Sequence, residues 1–558
     1  FAKTGKDGKP EGCFTLELLC TDSVLNLTAV LSYSVFEDTD VIARHVSILN
    51  NSENTIWLTK VSSMCMDMDN REFEAITLHG SWARERHIQR QKIGIGMQGV
   101  TSGRGESGHQ DHPFIALVTP NTTQDTGEVY GVQLVYSGNY EFRADVNQYD
   151  SVRLQVGINP VDFCWKLEAG AHFDAPEALL TYSASGLSGM TAHYHDFIRQ
   201  HIIRSPYKDK KRPILINNWE ATYFDFNTEK LLAIAKEAAG LGIEMLVLDD
   251  GWFAGRDNDR AGLGDYTVNR KKLPEGLEGL SRHLKDRGLS FGLWFEPESV
   301  NPDSNLYRAH PDWALTDGFE PILGRNQLLL DLSRAEVRDY IVENVSRILD
   351  SAGISYAKWD MNRHSVALGA KAHDFVLGLY DVLRRIFAPR PDILLESCSS
   401  GGNRFDLGML CFSPQIWASD DTDPIERLTI QNGISYLYPQ STVGAHVSAA
   451  PHAQTLRNTP LNTRGDVAFF GCLGYELDLR TLLPVEIKEI QGQIAFYKRY
   501  REVFQFGTFR RTELGWQVSD GKVTLAGVFH RLVNAAPGYE RLRVKGLKQE
   551  TDYRVTSL

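Results

Sequence analysis

The sequence predicts three regions in series: an N-terminal antiparallel β-sandwich, a central (β/α)8 TIM barrel and a C-terminal antiparallel β domain that reads as truncated. Three observations predict it. Short period-two runs fill the first third, eight strand patterns alternate with helical ones through the middle, and carboxylates and tryptophans stand at the ends of most of those eight strands. At 558 residues the chain is also too long for one core, since single cores stop growing near ~250–300 residues.

Residues 1–187 carry runs such as "LNLTAVLSYSVFE", "DVIARHVSIL", "VYGVQLVYSG" and "VRLQVGI", broken by Asn, Asp, Gly and Pro. Alternation of this kind puts one side of each strand on a core and the other in water, the pattern of a sandwich. The opening "FAKTGKDGKPEG" has neither an initiator Met nor a signal-peptide pattern, so the start of this region reads as missing. Residues 188–212 hold an amphipathic helix, "SGMTAHYHDFIRQHI", and a polar tail that read as a linker. From 213 to 508 the rhythm becomes strand, helix, strand, with strands at "PILINNW", "IEMLVLDD", "LSFGLWFE", "ISYAKWD", "DILLESC", "QIWASDD", "STVGAH" and "FFGCLGYEL". Helical patterns such as "NTEKLLAIAKEAAGLG" and "EVRDYIVENVSRILDSAG" separate them, which is the signature of a parallel barrel. Residues 509–558 return to alternation in "WQVSD", "VTLAGVF" and "LRVKGL", and stop within a domain.

Composition excludes several function classes. A net charge of −12 with no basic run argues against a nucleic-acid partner. No run of about 18 apolar residues is present to cross a bilayer. The seven cysteines lack metal-ligand spacing and read as reduced thiols, which points to the cytoplasm.

Barrel enzymes keep their chemistry at the C-terminal strand ends. Those ends hold Trp219, then Asp249 and Asp250, then Trp294 with Glu296 and Glu298, then Lys358 and Asp360, then Glu396 and Cys398, then Asp420 and Asp421. Tryptophans stack on the C–H faces of sugars, and carboxylates both accept hydrogen bonds from hydroxyls and cut glycosidic bonds. Lys358 and Asp360 are two residues apart and so share one strand face. There the ammonium would hold Asp360 ionised as a nucleophile. Each residue also has a structural reading. A Lys–Asp pair on a strand is commonly a surface ion pair, the Asp249–Asp250 doublet suits a Mg²⁺ site or a capping turn, and Trp219 and Trp294 suit packing. "SSGG" at 399–402 lacks the lysine and spacing of a phosphate loop.

Six motifs in order, "LDDGWF", "WFEPES", "GRNQLLLDL", "YAKWDMNR", "LLESCSSGGNRFD" and "WASDDTDPIERL", resemble those of the α-galactosidases of glycoside hydrolase family 36. The resemblance runs through the barrel and the sandwich before it. It implies that Asp360 is the catalytic nucleophile and Asp420 the general acid/base. It further implies that Asp249 and Asp250 bind the galactose hydroxyls around the axial 4-position and the 6-position. Arg325, Lys358, Asn362, Cys398 and Gly401 would complete the sugar subsite, with Trp219 and Trp294 as aromatic walls. No metal or organic cofactor is implied. The expected substrate is a small-molecule or oligosaccharide α-galactoside of the melibiose or raffinose type, and the expected assembly is a homotetramer.

Strand geometry alone leaves retention and inversion both open; the resemblance implies retention. A galactosyl transferase would use the same two aspartates. An α-N-acetylgalactosaminidase would differ at the 2-position pocket near Cys398 and Gly401. A non-catalytic sugar-binding protein could dispense with Asp360 or Asp420, and both are present.

Overall fold

The computed structural model describes residues 12–316, 323–364, 368–548 and 550–557, so the opening stretch 1–11 lies outside the described residues. The N-terminal region is a nine-stranded antiparallel sheet. Its path runs from Phe14–Asp22 through Leu27–Phe36, Val41–Asn50, Ala178–Ser183, Val129–Leu134 and Phe114–Val118 to Glu74–Ser81 and Arg84–Lys92. A three-stranded sheet of Ser62–Asp69, Tyr140–Val146 and Ser151–Ile158 shares a core with it. Alternation in burial is clearest in Tyr140–Val146. Tyr140, Phe142, Ala144 and Val146 are buried while the residues between them are half-buried, and each large apolar side chain so buried contributes about 1.5–3 kcal/mol.

The helix Gly186–Phe197 continues as a wider turn, Ile198–Ile202. Met190, Tyr194, Phe197 and Ile198, spaced along one helical face, are all buried. That face is clasped between the sandwich and the C-terminal sheet, so this segment is part of the packed interior.

Eight parallel strands then close into a barrel. They are β1 (Leu215–Asn217), β2 (Met245–Leu248), β3 (Ser290–Phe295), β4 (Tyr356–Trp359), β5 (Leu394–Ser397), β6 (Gln415–Trp417), β7 (Val443–Ser448) and β8 (Cys472–Glu476). Helices cover the outside, and most of the strand residues are buried on both faces, which is why they read as near-continuous apolar runs. The helix Thr228–Leu241 shows the local logic. Asn227 accepts a hydrogen bond from the Lys230 amide at one end, and Gly242 takes a left-handed φ of +90° at the other.

The last region is a three-stranded sheet of Thr508–Thr512, Gly515–Ser519 and Thr524–Val528. "LRVKGL" forms no strand, against expectation. Its backbone is tied to the sheet through the Gln517 side chain, which donates to the Lys545 carbonyl and accepts from the Lys545 amide. The ladder position its alternation suggests is not taken.

Sandwich and barrel share buried polar contacts as well as a core. Asp406 is fully buried, accepts from Ser107 and Ser137 of the sandwich, and accepts from the Met409 amide at the start of helix Leu407–Leu410. The sandwich is thereby fixed against the barrel mouth.

Candidate active site

The C-terminal ends of the barrel strands open onto a cavity of about 760 Å³. Trp219, Asp249, Asp250, Trp294, Arg325, Lys358, Asp360, Asn362, Cys398 and Asp420 all line it. Gly401 does not. Its neighbours Cys398 and Ser400 form that wall, and Gly401 lies behind them with φ +79°. A Cβ there would come within 2.8 Å of the Asp420 amide nitrogen, so close approach of two loops demands the glycine.

Asp360 follows β4 directly and accepts four N–H donors. The Met361 amide (2.8 Å) and Ser400 amide (3.3 Å) reach Oδ1, while Asn362 Nδ2 (2.7 Å) and Trp294 Nε1 (3.2 Å) reach Oδ2. Trp294 is almost wholly buried. Besides forming a wall, it holds the carboxylate in place through its indole N–H. Asn362 is oriented in turn by Ser400 Oγ, which donates to its Oδ1.

Lys358 does not bond Asp360. Its Nζ lies 2.9 Å from Asp249 Oδ2, across the intervening strand β3. The strand ends at Trp359, so Asp360 sits where the chain has begun to turn and strict alternation no longer sets its direction. Burial pulls the Lys358 ammonium down, but Asp249 and the carboxylates around it outweigh this and raise it well above its ordinary value. Asp249 also accepts from Asn217 at 2.6 Å. Removing one partner of such a buried pair costs roughly 3–5 kcal/mol, so Asp249 and Lys358 hold each other.

Asp250 is held by Arg256, whose Nε and Nη2 reach its two oxygens at 2.8–3.2 Å. Burial raises this carboxyl, with Arg256 working against it. The doublet therefore splits, one acid onto a lysine and the other onto an arginine, which differs from a pair turned to one metal ion. Arg325 stands in a loop with φ +49°. Burial lowers its guanidinium, but the charges of Glu296, Asp360, Asp420 and Asp250 outweigh this and raise it. For Cys398, burial pushes the thiol well above its ordinary value and keeps it protonated.

Asp420 is built differently. Trp417 Nε1 from β6 donates to Oδ1 at 3.2 Å, and Trp82 Nε1 from the sandwich donates to Oδ2 at 2.8 Å. Burial, with the Asp360 charge in addition, raises this carboxyl, while Trp82, Lys358 and Arg325 lower it. The next two acids of the motif serve the fold. Asp421 accepts from the Asp423 amide, and Asp423 caps the helix Pro424–Ile434.

Three carboxylates read as strand-end candidates play other parts. Glu298 forms a buried bidentate pair with Arg404, and Glu396 accepts from Gln415 inside the barrel. Glu296 lies behind Asp360 and accepts from Gln327 Nε2 at 3.2 Å. Burial and the Asp360 charge push it up to about 8.

Sequence reasoning missed Trp82. It occupies the two-residue turn between Glu74–Ser81 and Arg84–Lys92, where Ser81 pairs with Arg84. Such turns favour Asn, Asp and Gly. A tryptophan there, 53% exposed, was the available local signal.

Comparison with known proteins identifies the family. The family model "Melibiase" matches residues 172–507, and "Glycosyl hydrolase family 36 N-terminal domain" matches residues 3–168. The chain is 47% identical to the α-galactosidase AgaA of Geobacillus stearothermophilus, over 98% of this chain and 77% of that protein. It is 45% identical to the α-galactosidase Mel36A of Lactobacillus acidophilus, over 97% and 76%. The crystal structure of AgaA superposes with a TM-score of 0.94 over 96% of this chain and 78% of that one, at 47% identity. Variants of that enzyme have been crystallised with stachyose and with raffinose. Among the described residues, no helix is long and apolar enough to cross a membrane. With both family models matched and these relatives alike over nearly its whole length, the chain belongs to glycosyl hydrolase family 36 and is a glycoside hydrolase of the α-galactosidase type.

Proposed function

We propose that the chain is a retaining exo-α-galactosidase that releases terminal α-linked galactose from oligosaccharides of the melibiose and raffinose type. The reaction would proceed through a β-galactosyl-enzyme on Asp360, with Asp420 as acid/base. One observation carries the reading: two carboxylates share a cavity but are equipped for opposite tasks. Asp360 accepts four N–H donors, which suits a fixed carboxylate nucleophile, while Asp420 is raised by burial and so suits a proton donor.

In the first step an Asp360 oxygen attacks the anomeric carbon from the β face, the bond to the leaving oxygen breaks, and Asp420 gives that oxygen its proton. In the second step Asp420 takes a proton from water, the water oxygen attacks from the α face, and Asp360 is released. Asp249, Asp250, Lys358, Asn362, Arg325 and Cys398 supply polar groups for the sugar hydroxyls, and Trp219 offers an apolar face. Raffinose and stachyose, the sugars seen with the AgaA variants, supply the substrate class. The homotetramer is carried over from the family resemblance, and light scattering at micromolar concentration tests it.

Azide separates the two roles. With Asp360→Gly it attacks an α-galactoside from the vacated β side and yields β-galactosyl azide. With Asp420→Gly it opens the β-linked intermediate and yields α-galactosyl azide. The reverse pairing would mean the roles are exchanged, and a β-configured first product from the unmutated enzyme would end the double displacement.

A further inference from the structure

A single helical turn, Trp219–Thr222, follows β1, and Tyr223 ends it with φ +46° and ψ −130°. Type II′ turns put glycine in this region because a Cβ is crowded there. A bulky residue in it is an outlier. The turn is closed by its own backbone and by Thr222: the Tyr223 amide donates to the Trp219 carbonyl at 2.7 Å, and the Thr222 hydroxyl donates to the Asn218 carbonyl at 3.2 Å. Glycine would serve that geometry better. The side chain of Tyr223 must therefore supply the reason for its presence, and strain of this kind gathers where a ligand is held.

Tyr223 lines the cavity and is 46% exposed, whereas Asp249, Asp250, Lys358 and Asp360 are only 4–8% exposed. Those four form the floor, and Tyr223 stands at the rim. Its ring meets Trp219 edge to face, with centroids 5.3 Å apart and planes at 81°. Phe224 meets Trp219 in the same way at 5.1 Å and 86°, and its own ring lies 5.9 Å from the Arg256 guanidinium carbon. Trp219 thus has a second aromatic neighbour without Tyr223.

The turn is also bonded to the loop of the proposed acid. Glu220 accepts from the Thr422 hydroxyl at 3.1 Å, and Thr422 lies two residues after Asp420. On this side of the cavity the bond to the leaving sugar would break. With galactose on the floor, the sugar joined to it must extend toward the rim. The other exposed aromatic ring of the cavity, Trp82, is tied to Asp420 through its N–H.

We propose that Tyr223 is a specificity-determining residue of an aglycone subsite, its ring receiving the hexose joined to the galactose and stacking on that sugar's C–H face. This rests on the reading of the chain as an exo-α-galactosidase with Asp420 as acid/base. Strained backbone at the rim is kept because it turns an aromatic ring toward the leaving sugar.

Melibiose and methyl α-galactoside test the role, since both leaving groups need a proton and only melibiose carries a second ring. Tyr223→Ala should lower kcat/KM on melibiose about tenfold more than on methyl α-galactoside. The difference should lie in KM, because the contact is made in ground state and transition state alike. Raffinose, with the same hexose at that point, should follow melibiose. Tyr223→Phe keeps the ring and should keep most of the preference. Tyr223→Gly must change the ratio as Tyr223→Ala does, and serves where the alanine variant does not fold. It should also unfold at a higher temperature than Tyr223→Ala, since glycine takes φ +46° without crowding. A glycine variant less stable than the alanine one would mean that the backbone is not strained, and would overturn the reason given for the tyrosine. An unchanged ratio of the two substrates overturns the subsite, and so does an equal loss on both, which would make Tyr223 a support for Trp219. If the unmutated enzyme cleaves neither α-galactoside, the galactosidase reading falls and the subsite with it; if it cleaves both while Tyr223→Ala leaves their ratio in place, only the subsite falls.

Discussion

The two ends of the cavity are built in opposite ways. At the Asp360 end, all four donors come from barrel positions within the motifs, namely Met361 and Asn362 next in the chain, Trp294 on the adjoining strand and Ser400 after β5. At the Asp420 end, one donor comes from β6 and the other from a turn 338 residues earlier in a different β layer. On the proposed assignment of Asp360 and Asp420, the difference teaches how one fold separates two jobs. A nucleophile needs rigid orientation, which short loops on parallel strands provide. An acid/base must hold and release a proton, and a second domain laid over it supplies the burial and the indole that tune it.

The comparison breaks most visibly at the proposed nucleophile. Asp360→Ala should lower kcat by about 10⁵-fold or more on every leaving group, because no other group lining the cavity stands in its four-donor cradle. Residual turnover above that level on dinitrophenyl α-galactoside would mean another nucleophile. Asp420→Ala should be milder and selective. Loss of general acid/base help costs about 10²–10⁴-fold, in full on melibiose and raffinose but much less in bond cleavage of dinitrophenyl α-galactoside. Equal losses on both substrates would remove the distinction between the two ends.

A smaller effect is expected at the acids proposed to hold the sugar. Asp250→Asn keeps an acceptor but gives up the charged pairing with Arg256, so kcat/KM on melibiose should fall about 10–100-fold, as for loss of a hydrogen bond to a charged group. The unmutated enzyme should handle α-glucosides poorly, since a misplaced hydroxyl leaves buried carboxylates unpaired. Comparable kcat/KM on α-galactoside and α-glucoside would defeat this pocket.

The same contrast explains what the sequence disclosed. The barrel was legible because its strands are short apolar runs ending in Asp, Glu, Lys or Trp, and alternation and length suffice to place such residues at one mouth. Of the Asp360 surroundings, Trp294 was legible as a strand-end residue and Asn362 through the family resemblance, whereas the Met361 and Ser400 amides were not foreseen. Lys358 was placed on the correct strand but with the wrong partner, because a two-residue spacing gives a shared face only while the strand lasts, and β4 ends at Trp359. Gly401 carried a family role at the sugar, whereas its φ of +79° and the nearness of Asp420 and Glu85 give a reason for glycine that no one-dimensional pattern contains. Trp82 lay in the sandwich, where, apart from a tryptophan standing in a tight turn, nothing in its own neighbourhood points to the barrel. Contacts across more than 300 residues have no local periodicity to betray them.

Trp82 sharpens the comparison with the smallest expected effect and the most specific sign. Its indole N–H donates to Asp420 Oδ2, and this bond lowers the carboxyl's proton affinity against the burial that raises it. Trp82→Phe keeps an aromatic ring over the cavity and deletes the donor. With that bond gone the Asp420 carboxyl is raised further, so the alkaline limb of kcat/KM on melibiose should move to higher pH, by about half a unit to one unit. The rate at the optimum should fall only several-fold, in line with one neutral-donor hydrogen bond worth about 1 kcal/mol. A stationary limb in Trp82→Phe would show that the indole serves only as a wall, and would return the tuning of Asp420 to the barrel alone.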